Sequence, residues 1–303
     1  MVCRVTLLGI YIPIGKFLVS SSDDDSVCLF DCEKGERSKI LHSKRYGVDH
    51  IKFVHSGNLS AVCASRSDVD FSLRYWDLYE NKFIRYFKGH IGEVKNLDVH
   101  PYDDLLISSS VDKTSLLWDL RKEKPIGRIP ARKTPASTFD NQGLIFGVSA
   151  GDQKVHLFDS RAFDKGEFTF FDLSRYMKSQ SEIITRMDFS PCGKFILVLT
   201  DGGQLFTIDS FKGQLVGNYH AGLLAPDAIP SFSPDSQYIA CGTPSGPVNI
   251  YKTVSPVEDE MRSSPIITRL EGHSSYPRIT MFSPTRCMLA SACVSVGLWI
   301  PKP

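Results

Sequence analysis

The sequence predicts an all-β protein, a seven-bladed β-propeller, from the form and the spacing of one repeated ending. A short β-rich segment ends seven times on an apolar pair followed by Asp or a residue in its place. The seven endings are Leu29-Phe30-Asp31, Tyr75-Trp76-Asp77, Leu117-Trp118-Asp119, Leu157-Phe158-Asp159, Thr207-Ile208-Asp209, Ile250-Tyr251-Lys252 and Leu298-Trp299-Ile300. Successive endings lie 46, 42, 40, 50, 43 and 48 residues apart, and a repeat of about 40–45 residues closing on Trp-Asp is typical of propeller blades. Because one blade cannot bury its own faces, all seven are expected to form one ring spanning residues 1–303.

The third repeat shows the strand pattern most clearly. Residues 83–87 alternate as an outer strand should, and residues 94–99 predict the inner strand. Residues 105–110 predict the second strand, and the turn at Asp112-Lys113 leads into a third strand that ends at Trp118-Asp119. Turn-forming Pro, Gly, Asn and Asp residues mark comparable hairpins in the other repeats. These hairpins are predicted at 13–15, 56–58, 141–143, 190–193, 233–235 and 283–285.

The seventh blade is expected to lack its N-terminal closing strand. In WD-repeat propellers, a strand that precedes the first repeat normally completes the last blade. Here Arg4–Leu8 is already predicted as the inner strand of the first blade, because a hairpin turn follows it at 13–15. Residues 294–299 would then form an open edge. Two explanations stay open: a chain that starts at a mis-assigned codon, or a partner that donates the strand by β-augmentation.

His90, Ser108, Asp112 and Trp118 occupy the places in the third repeat where WD-repeat proteins carry a hydrogen-bonded tetrad. A His, a Ser and an Asp could also indicate a hydrolase triad. We interpret the set as structural, because buried polar groups need satisfied hydrogen-bond networks.

The other repeats retain only parts of this tetrad. His273 matches His90 by its distance from the following hairpin, and three carboxylates match Asp112 by their distance from the blade endings: Asp24, Asp70 and Asp152. In the sixth and seventh repeats Ser245 and Cys293 take that place. The tetrad is therefore expected to be broken in these two blades.

The composition is that of an ordinary globular protein, and it offers no catalytic or cofactor signature. Of 303 residues, 42% are hydrophobic and 23% charged, and the net charge of +1 argues against a surface devoted to nucleic acid or an anionic membrane. The eight cysteines contain no Cys-x-x-Cys pair and are interpreted as buried thiols rather than metal ligands or disulfides. Common hydrolase, phosphate-binding and dinucleotide motifs are absent. A propeller enzyme would need a metal or a perturbed acid–base pair in the central channel, and the sequence indicates neither.

Segments along the whole chain resemble one family, the WD-repeat subunit of COMPASS-type histone H3 lysine-4 methyltransferases. The matching segments include SSSDDDSVCLFDCEKG (20–35), SKRYGVD (43–49), NKFIRYFKGH (81–90), SSSVDKTSLLWDLR (108–121), LFDSRAFDKGEF (157–168), FSPDSQYIACGT (232–243) and LASACVSVGLWIP (289–301). The chain departs from the family at its N-terminal strand and in the loop 254–266, which is rich in Ser, Pro and acidic residues.

The resemblance implies a nuclear, non-catalytic scaffold without a cofactor. Its expected partners are the methyltransferase catalytic subunit and RNA polymerase II carrying a phosphorylated C-terminal repeat. Phosphatase and termination factors are further expected partners, since the family also occurs in assemblies that end transcription. Neither nucleic acid nor a membrane is expected as a direct partner, and the propeller is expected as a monomer within a hetero-complex.

Two basic segments are candidate sites for a phosphorylated peptide. Residues 121–133 carry six basic residues against one acidic residue, and Arg side chains suit phosphate recognition. A solvated outer strand and loop would explain the same charge run. The candidate residues are Arg121, Lys124, Arg128, Arg132 and Lys133, together with Lys44, Arg45 and Tyr46 in a second segment.

An alternative function rests on Trp118-Asp119-Leu120-Arg121. This Trp-Asp-x-Arg form resembles the motif by which substrate receptors of cullin-type ubiquitin ligases contact their adaptor. The propeller already requires the Trp-Asp pair, so Arg121 is the informative residue. Its planar side chain could bind an adaptor in bidentate fashion.

Overall fold

Seven antiparallel sheets follow one another along the chain in the computed structural model. The structure describes residues 5–10 (backbone only), 15–54, 59–66, 70–219, 224–225, 227–253 and 264–301. Each sheet is a meander whose strands are hydrogen-bonded in chain order. The seven-bladed propeller predicted from the repeat is confirmed.

The first four blades contain four strands each. Blade 1 contains β1 Val5–Ile10, β2 Phe17–Ser22, β3 Ser26–Asp31 and β4 Glu36–His42. Blade 2 contains β5 Ile51–Phe53, β6 Ser60–Ala64, β7 Leu73–Asp77 and β8 Lys82–Phe87. Blade 3 contains β9 Val94–Val99, β10 Leu105–Ser110, β11 Thr114–Asp119 and β12 Gly127–Pro130. Blade 4 contains β13 Ala136–Phe139, β14 Ile145–Ser149, β15 Lys154–Asp159 and β16 Thr169–Asp172, with 3-10 turns at Phe163–Lys165 and Ser174–Tyr176.

The last three blades continue the pattern. Blade 5 contains β17 Ile184–Phe189, β18 Phe195–Thr200, β19 Leu205–Asp209 and β20 Leu215–Tyr219. Blade 6 contains β21 Ser231–Phe232, β22 Tyr238–Gly242, β23 Val248–Lys252 and β24 Ile266–Leu270. Within the described ranges blade 7 contains three strands, β25 Ile279–Phe282, β26 Leu289–Ala292 and β27 Val296–Trp299. The first two residues of the hairpin predicted at 13–15, the whole hairpin predicted at 56–58 and most of the loop 254–266 lie outside the described residues.

One predicted strand belongs to a different blade. Residues 83–87 were expected as the outer strand of the third blade, but β8 pairs with β7 and completes blade 2. The outer strand of blade 3 is β12, which pairs with β11. The sequence repeat and the blade are therefore offset by one strand, so each repeat spans two neighbouring blades.

The repeated Asp ends the third strand of a blade and caps the turn that follows. The carboxylate of Asp119 accepts the backbone N–H of Arg121 at 2.9 Å, and Asp159 and Asp209 accept the N–H two residues later at 2.8 Å. Asp31 and Asp77 do the same in blades 1 and 2. An Asp side chain stabilises such a turn by this local hydrogen bond, which explains why the endings share it.

The hydrophobic core lies between the blades rather than within them. One cluster joins Phe87 of blade 2 to Leu97, Leu116 and Trp118 of blade 3, and similar clusters occupy other interfaces along the ring. The inner strands of blades 1 to 5 contact one another in sequence, β21 contacts β25, and β1 contacts β25 across the closure of the ring. Each blade therefore depends on both of its neighbours for burial.

The strand directions define two faces. The linker face carries the connections from each outer strand to the next inner strand, and also the turns between second and third strands. The hairpin face carries the turns between first and second strands and between third and outer strands. On the hairpin face His100 of blade 3 donates to the Gly143 carbonyl of blade 4 at 2.8 Å, and Asn141 donates to the Ser190 carbonyl of blade 5 at 2.6 Å.

Replacing Leu116 with Ala should test the burial between blades. Leu116 is 3% exposed at the interface of blades 2 and 3, so Leu116→Ala should lower the free energy of unfolding by about 2–5 kcal/mol through lost burial and a cavity. Urea denaturation measures this change. The control Ile84→Ala removes an exposed strand residue and should change stability by about 0.5 kcal/mol or less. Equal effects of the two variants would contradict the assignment of the core.

Candidate functional site

The tetrad residues of blade 3 form one continuous hydrogen-bonded chain. Trp118 donates its indole N–H to Ser108 Oγ at 2.8 Å, and the Ser108 hydroxyl donates to His90 Nε2 at 2.8 Å. His90 donates from Nδ1 to Asp112 Oδ2 at 2.8 Å. Ser108 is fully buried, so no substrate can reach its hydroxyl. This arrangement holds the loop before the inner strand against the turn after the second strand.

Asp112 is the acceptor at the end of this chain. It also accepts the backbone N–H groups of Ile91 and Thr114, both at 3.0 Å, and the Thr114 hydroxyl at 2.6 Å. Burial opposes ionisation, but the hydrogen bonds from Thr114 and His90 hold the pKa of Asp112 below its usual range. Burial lowers the pKa of His90. The hydrogen-bond donors around Asp112 therefore favour its ionised form.

Blades 2 and 4 keep the turn Asp but replace its partner. Asp70 pairs with Arg74 at 2.7 Å, and Asp152 pairs with His156 at 3.0 Å. In both cases the cationic or titratable residue lies four positions later, on the third strand. Arg74 and His156 thus reach the turn from the third strand of the same blade. His90 instead reaches Asp112 from the loop that precedes the inner strand of blade 3.

Arg74 is the most deeply buried cation among the described residues. It is 1% exposed, and its guanidinium lies 3.7 Å from the centre of the Tyr46 ring. The ring centres of Phe83 and Tyr86 lie 6.0 and 5.8 Å from the guanidinium carbon. These rings stabilise the charge by cation–π interaction. Tyr46, a predicted partner-binding residue, therefore serves an internal contact, while Lys44 and Arg45 beside it are exposed on the linker face.

The basic segment 121–133 is distributed along the outer edge of blade 3 and does not form one patch. Arg121 and Lys124 lie on the hairpin face, Arg128 is exposed on β12, and Arg132 and Lys133 follow on the linker face. The four residues of β12, roughly 13 Å of strand, separate the two ends. Lys133 donates to the Ser181 carbonyl at 2.6 Å.

The C-terminal end of this segment, at Arg132, borders a cleft between blades 3 and 4. The cleft has a volume of about 350 Å³, and Arg132, His156 and Glu167 line part of it. His156 contacts the Glu167 carboxylate through Nδ1 in addition to its contact with Asp152. Acidic and basic groups therefore face each other across this cleft.

The alternative adaptor motif presents a single side chain to solvent. Trp118 and Asp119 are buried, whereas the Arg121 side chain is 72% exposed. Its guanidinium is forked onto Asp119, with Nε–Oδ1 at 2.8 Å and Nη2–Oδ2 at 3.0 Å. These bonds lower the pKa of Asp119 and raise that of Arg121. The guanidinium edge that was expected to bind an adaptor in bidentate fashion is thus already bound to Asp119.

Sequence reasoning missed a group of ionisable residues on the inner strands, which face the central channel. Lys52 Nζ of blade 2 lies 2.6 Å from Asp98 Oδ1 of blade 3. The second oxygen of Asp98 accepts the Thr138 hydroxyl at 3.0 Å and the Phe139 N–H at 2.8 Å from blade 4. One carboxylate therefore joins three blades. Single polar residues within an inner strand form no motif, so they could not be recognised from the sequence.

The expectation that the central channel contains no acidic group with a perturbed pKa is wrong. Burial, together with the nearby negative charge of Asp98, raises the pKa of Asp188 from 3.8 to about 6. Burial and the positive charge of Arg186 lower the pKa of His50 to about 3. His50 and Arg186 line a cavity of about 410 Å³ at the linker-face end of the channel. Such shifts also occur in structural ion-pair networks, and the Asp98 network shows that one exists here.

The described cysteines differ from the prediction in three positions. Cys63 and Cys241 are buried, and burial raises the pKa of each thiol to about 12. Cys192 and Cys287 are exposed and Cys28 is half-buried, so the expectation of buried thiols is wrong for these three. Among the described residues, no group of three or more His, Cys, Asp or Glu side chains could hold a metal ion. In the same part of the chain no helix is long and apolar enough to cross a membrane.

The fold and the tetrad define a WD-repeat β-propeller, and the family description "WD domain, G-beta repeat" matches residues 81–119. WD repeat-containing protein 82 of Drosophila melanogaster is 36% identical over 96% of this chain and 89% of its own length. The chain belongs to the family of WD repeat-containing protein 82.

Two fungal relatives support the resemblance drawn from the sequence segments. The Set1 complex component swd2 of Schizosaccharomyces pombe is 32% identical over 74% of this chain and 64% of its own length. The COMPASS component SWD2 of Saccharomyces cerevisiae is 25% identical over 94% and 88%. The resemblance to the WD-repeat subunit of COMPASS is thereby confirmed.

A solved structure with the same fold is the β-propeller domain of Cps50 (Swd1) from Myceliophteria thermophila. It superposes with a TM-score of 0.78 over 99% of this chain and 97% of its own, at 16% sequence identity. At that identity the likeness concerns the fold alone.

Asp188 should make stability depend on pH. Because its folded pKa is raised, the native state keeps a proton that the unfolded chain releases between about pH 4 and 6. This contribution is present below pH 4 and is lost as the pH rises to 6. Asp188→Asn should therefore gain stability relative to the wild type across this window, measured as the difference in urea midpoint. The control Asp164→Asn removes an exposed carboxylate outside the channel, and a similar gain in both variants would contradict the assignment.

Proposed function

We propose that this chain is a non-catalytic scaffold subunit of a Set1/COMPASS-type histone H3 lysine-4 methyltransferase complex. The observation that carries the proposal is the similarity, over most of the chain, to swd2 and SWD2, which are named as components of the Set1 complex and of COMPASS. The buried tetrad supports the non-catalytic part, because Ser108 and His90 are committed to structural hydrogen bonds and are closed to substrate.

The proposal includes a nuclear location and a link to RNA polymerase II. In it the propeller binds the methyltransferase catalytic subunit and the serine-phosphorylated C-terminal repeat of the transcribing polymerase. Through phosphatase and termination factors it also takes part in transcription termination. These finer statements rest on the family resemblance of the sequence segments.

The linker face is the proposed site for a phosphorylated peptide. Lys44 and Arg45 are exposed on it, and Arg132 and Lys133 lie on the same face two blades further along. Arg side chains recognise phosphate by charge-assisted, often bidentate hydrogen bonds. Arg128 extends the basic surface onto the outer edge of blade 3.

The cullin-receptor alternative is weaker for a physical reason. Its informative residue, Arg121, already makes two hydrogen bonds to Asp119. An adaptor would have to displace the Asp119 carboxylate from the guanidinium. Otherwise it could bind only to the N–H groups of Arg121 that Asp119 leaves unused.

Affinity purification from nuclei should separate the two assignments. With the tagged full-length chain we expect a Set1-type catalytic subunit to be recovered and identified by mass spectrometry. Arg121→Ala serves as the matched variant, because it removes the adaptor contact of the alternative and leaves the buried tetrad intact. Recovery of a cullin and its adaptor, lost in Arg121→Ala, would overturn the proposal.

Charge reversal should test the phosphopeptide surface. The double variants Lys44→Glu/Arg45→Glu and Arg128→Glu/Arg132→Glu should each bind a serine-phosphorylated C-terminal-repeat peptide at least about tenfold more weakly, since each loses charge-assisted bonds of about 1.5–3 kcal/mol. Fluorescence anisotropy with the phosphorylated and unphosphorylated peptides measures the affinities. Arg37→Glu, an exposed site on β4, is the control. Unchanged affinity in both double variants would exclude this surface.

A further inference from the structure

A groove with an apolar rim lies between blades 4 and 5 on the hairpin face. Its volume is about 380 Å³. Three large apolar side chains line it and are nevertheless exposed to solvent, Phe211 to 78%, Phe168 to 58% and Leu144 to 50%. Single exposed apolar residues are ordinary on a protein surface, whereas several that converge on one concave surface mark an interaction site.

The turns of the two blades on this face position the three side chains. Leu144 follows the hairpin between β13 and β14, and Phe168 directly precedes β16 of the same blade. Phe211 lies in the turn between β19 and β20 of blade 5. Phe171 and Phe189 also line the groove, and both are buried in the core cluster shared by these blades. The groove therefore has an apolar floor as well as an apolar rim.

The blade 5 side of the rim is held by hydrogen bonds. The Asp209 carboxylate accepts the backbone N–H groups of Phe211 and Lys212, both at 2.8 Å. The Ser210 hydroxyl donates to the Gly193 carbonyl at 2.6 Å, which joins this turn to the preceding hairpin of the same blade. Phe211 is thus presented to solvent by a fixed turn, and a preformed surface of this kind lowers the ordering cost of binding.

The unpaired charges beside the groove are basic. Lys194 and Lys212 are exposed next to groove-lining residues, and neither forms an ion pair within the described part of the chain. The nearby carboxylates already have partners. Asp140 and Asp209 accept backbone N–H groups of their own turns, and Glu167 contacts an imidazole of β15. An approaching partner therefore meets two free ammonium groups beside an apolar surface.

The shape of the groove favours a polypeptide as its occupant. The volume is near the lower end of the range of ligand pockets, about 300–1,000 Å³, and the most exposed side chain, Phe211, stands at the rim. A small molecule confined to the groove would leave this rim uncovered. An apolar side chain inserted into the groove, on a backbone that continues over Phe211, would bury both surfaces.

We propose that this groove is a docking site for a partner peptide that carries large apolar side chains flanked by acidic residues. The apolar side chains fill the groove and cover Phe168 and Phe211, and the acidic residues pair with Lys194 and Lys212. The site lies on the face opposite the proposed phosphopeptide surface. It does not depend on the assignment to a methyltransferase complex, and its tests use the full-length chain alone.

Selection of random peptides tests the chemistry of the partner. Short random peptides displayed on phage are selected on the immobilised chain, after counter-selection on the double variant Phe168→Ser/Phe211→Ser. We expect the enriched peptides to share large apolar side chains and a net negative charge. Peptides without these features, or no enrichment beyond that on the double variant, would overturn the proposal.

Affinities of the most enriched peptide are then measured by fluorescence anisotropy. Phe211→Ser and the charge reversal Lys194→Glu/Lys212→Glu should each weaken binding at least about tenfold. Tyr102→Ser and Lys124→Glu are the matched controls, because both residues are exposed on the hairpin face of blade 3, and they should leave the affinity unchanged. Unchanged affinity in either groove variant, or equal losses in the controls, would overturn the proposal.

Other occupants of the groove give different results. A second copy of the chain would appear as a dimer in sedimentation velocity, and Phe211→Ser would abolish it. A lipid surface would appear as co-sedimentation with phosphatidylserine vesicles that the same variant abolishes. Either result would overturn the assignment to a partner peptide, for which we expect a monomer that stays in the supernatant.

Cys192 provides an internal reporter of the groove. It is exposed and lines the groove, whereas Cys287 is exposed in a separate pocket between blades 6 and 7. With the peptide at about ten times its dissociation constant, alkylation of Cys192 by N-ethylmaleimide should slow about tenfold by mass action. Peptide mass spectrometry follows both sites, and Cys287 should react at an unchanged rate. Protection of neither cysteine, or of both equally, would overturn the proposal.

Discussion

Burial between neighbouring sheets is the constraint on which the rest of this structure depends. The core clusters join residues of adjacent blades, as Phe87 of blade 2 and Leu116 of blade 3 illustrate. A sheet removed from the ring would expose an apolar face on each side, which favours closure over any open arrangement. The ring in turn fixes where loops and turns emerge, and so decides which side chains share a face.

Within each blade, a second requirement is to anchor the turn between the second and third strands. Blade 3 does this with a chain from Trp118 to Asp112. In blade 7, where the tetrad is expected to be broken, the corresponding side chains are still in contact, and Cys293 Sγ lies 3.1 Å from His273 Nδ1. Blades 2 and 4 instead place Arg74 or His156 on the third strand, beside the turn Asp. Different residues thus anchor the same turn in different blades.

The sequence allowed the architecture to be predicted because its signals are local. The Asp at each blade ending caps a turn two residues later, so it appears at a fixed place in every repeat that keeps it. The offset between repeat and blade could not be predicted this way, because it depends on which third strand the segment 83–87 pairs with. The channel network was also out of reach, since Lys52, Asp98 and Arg186 come from different blades and meet only after the ring has closed. For the same reason, the sequence did not reveal that Arg121 is held by Asp119 and that Tyr46 is used to cover Arg74.

The aromatic enclosure of Arg74 affects the surface as well as the interior. Tyr46 stacks on the buried guanidinium at 3.7 Å and is held in place by it, and Lys44 and Arg45 directly precede Tyr46 in the chain. A loop anchored in this way has already lost much of its conformational freedom before any ligand arrives. The backbone of this loop therefore loses less entropy when the loop contacts a partner than a free loop would. The buried cation of blade 2 therefore acts as a preorganising support for the charges that the protein displays above it.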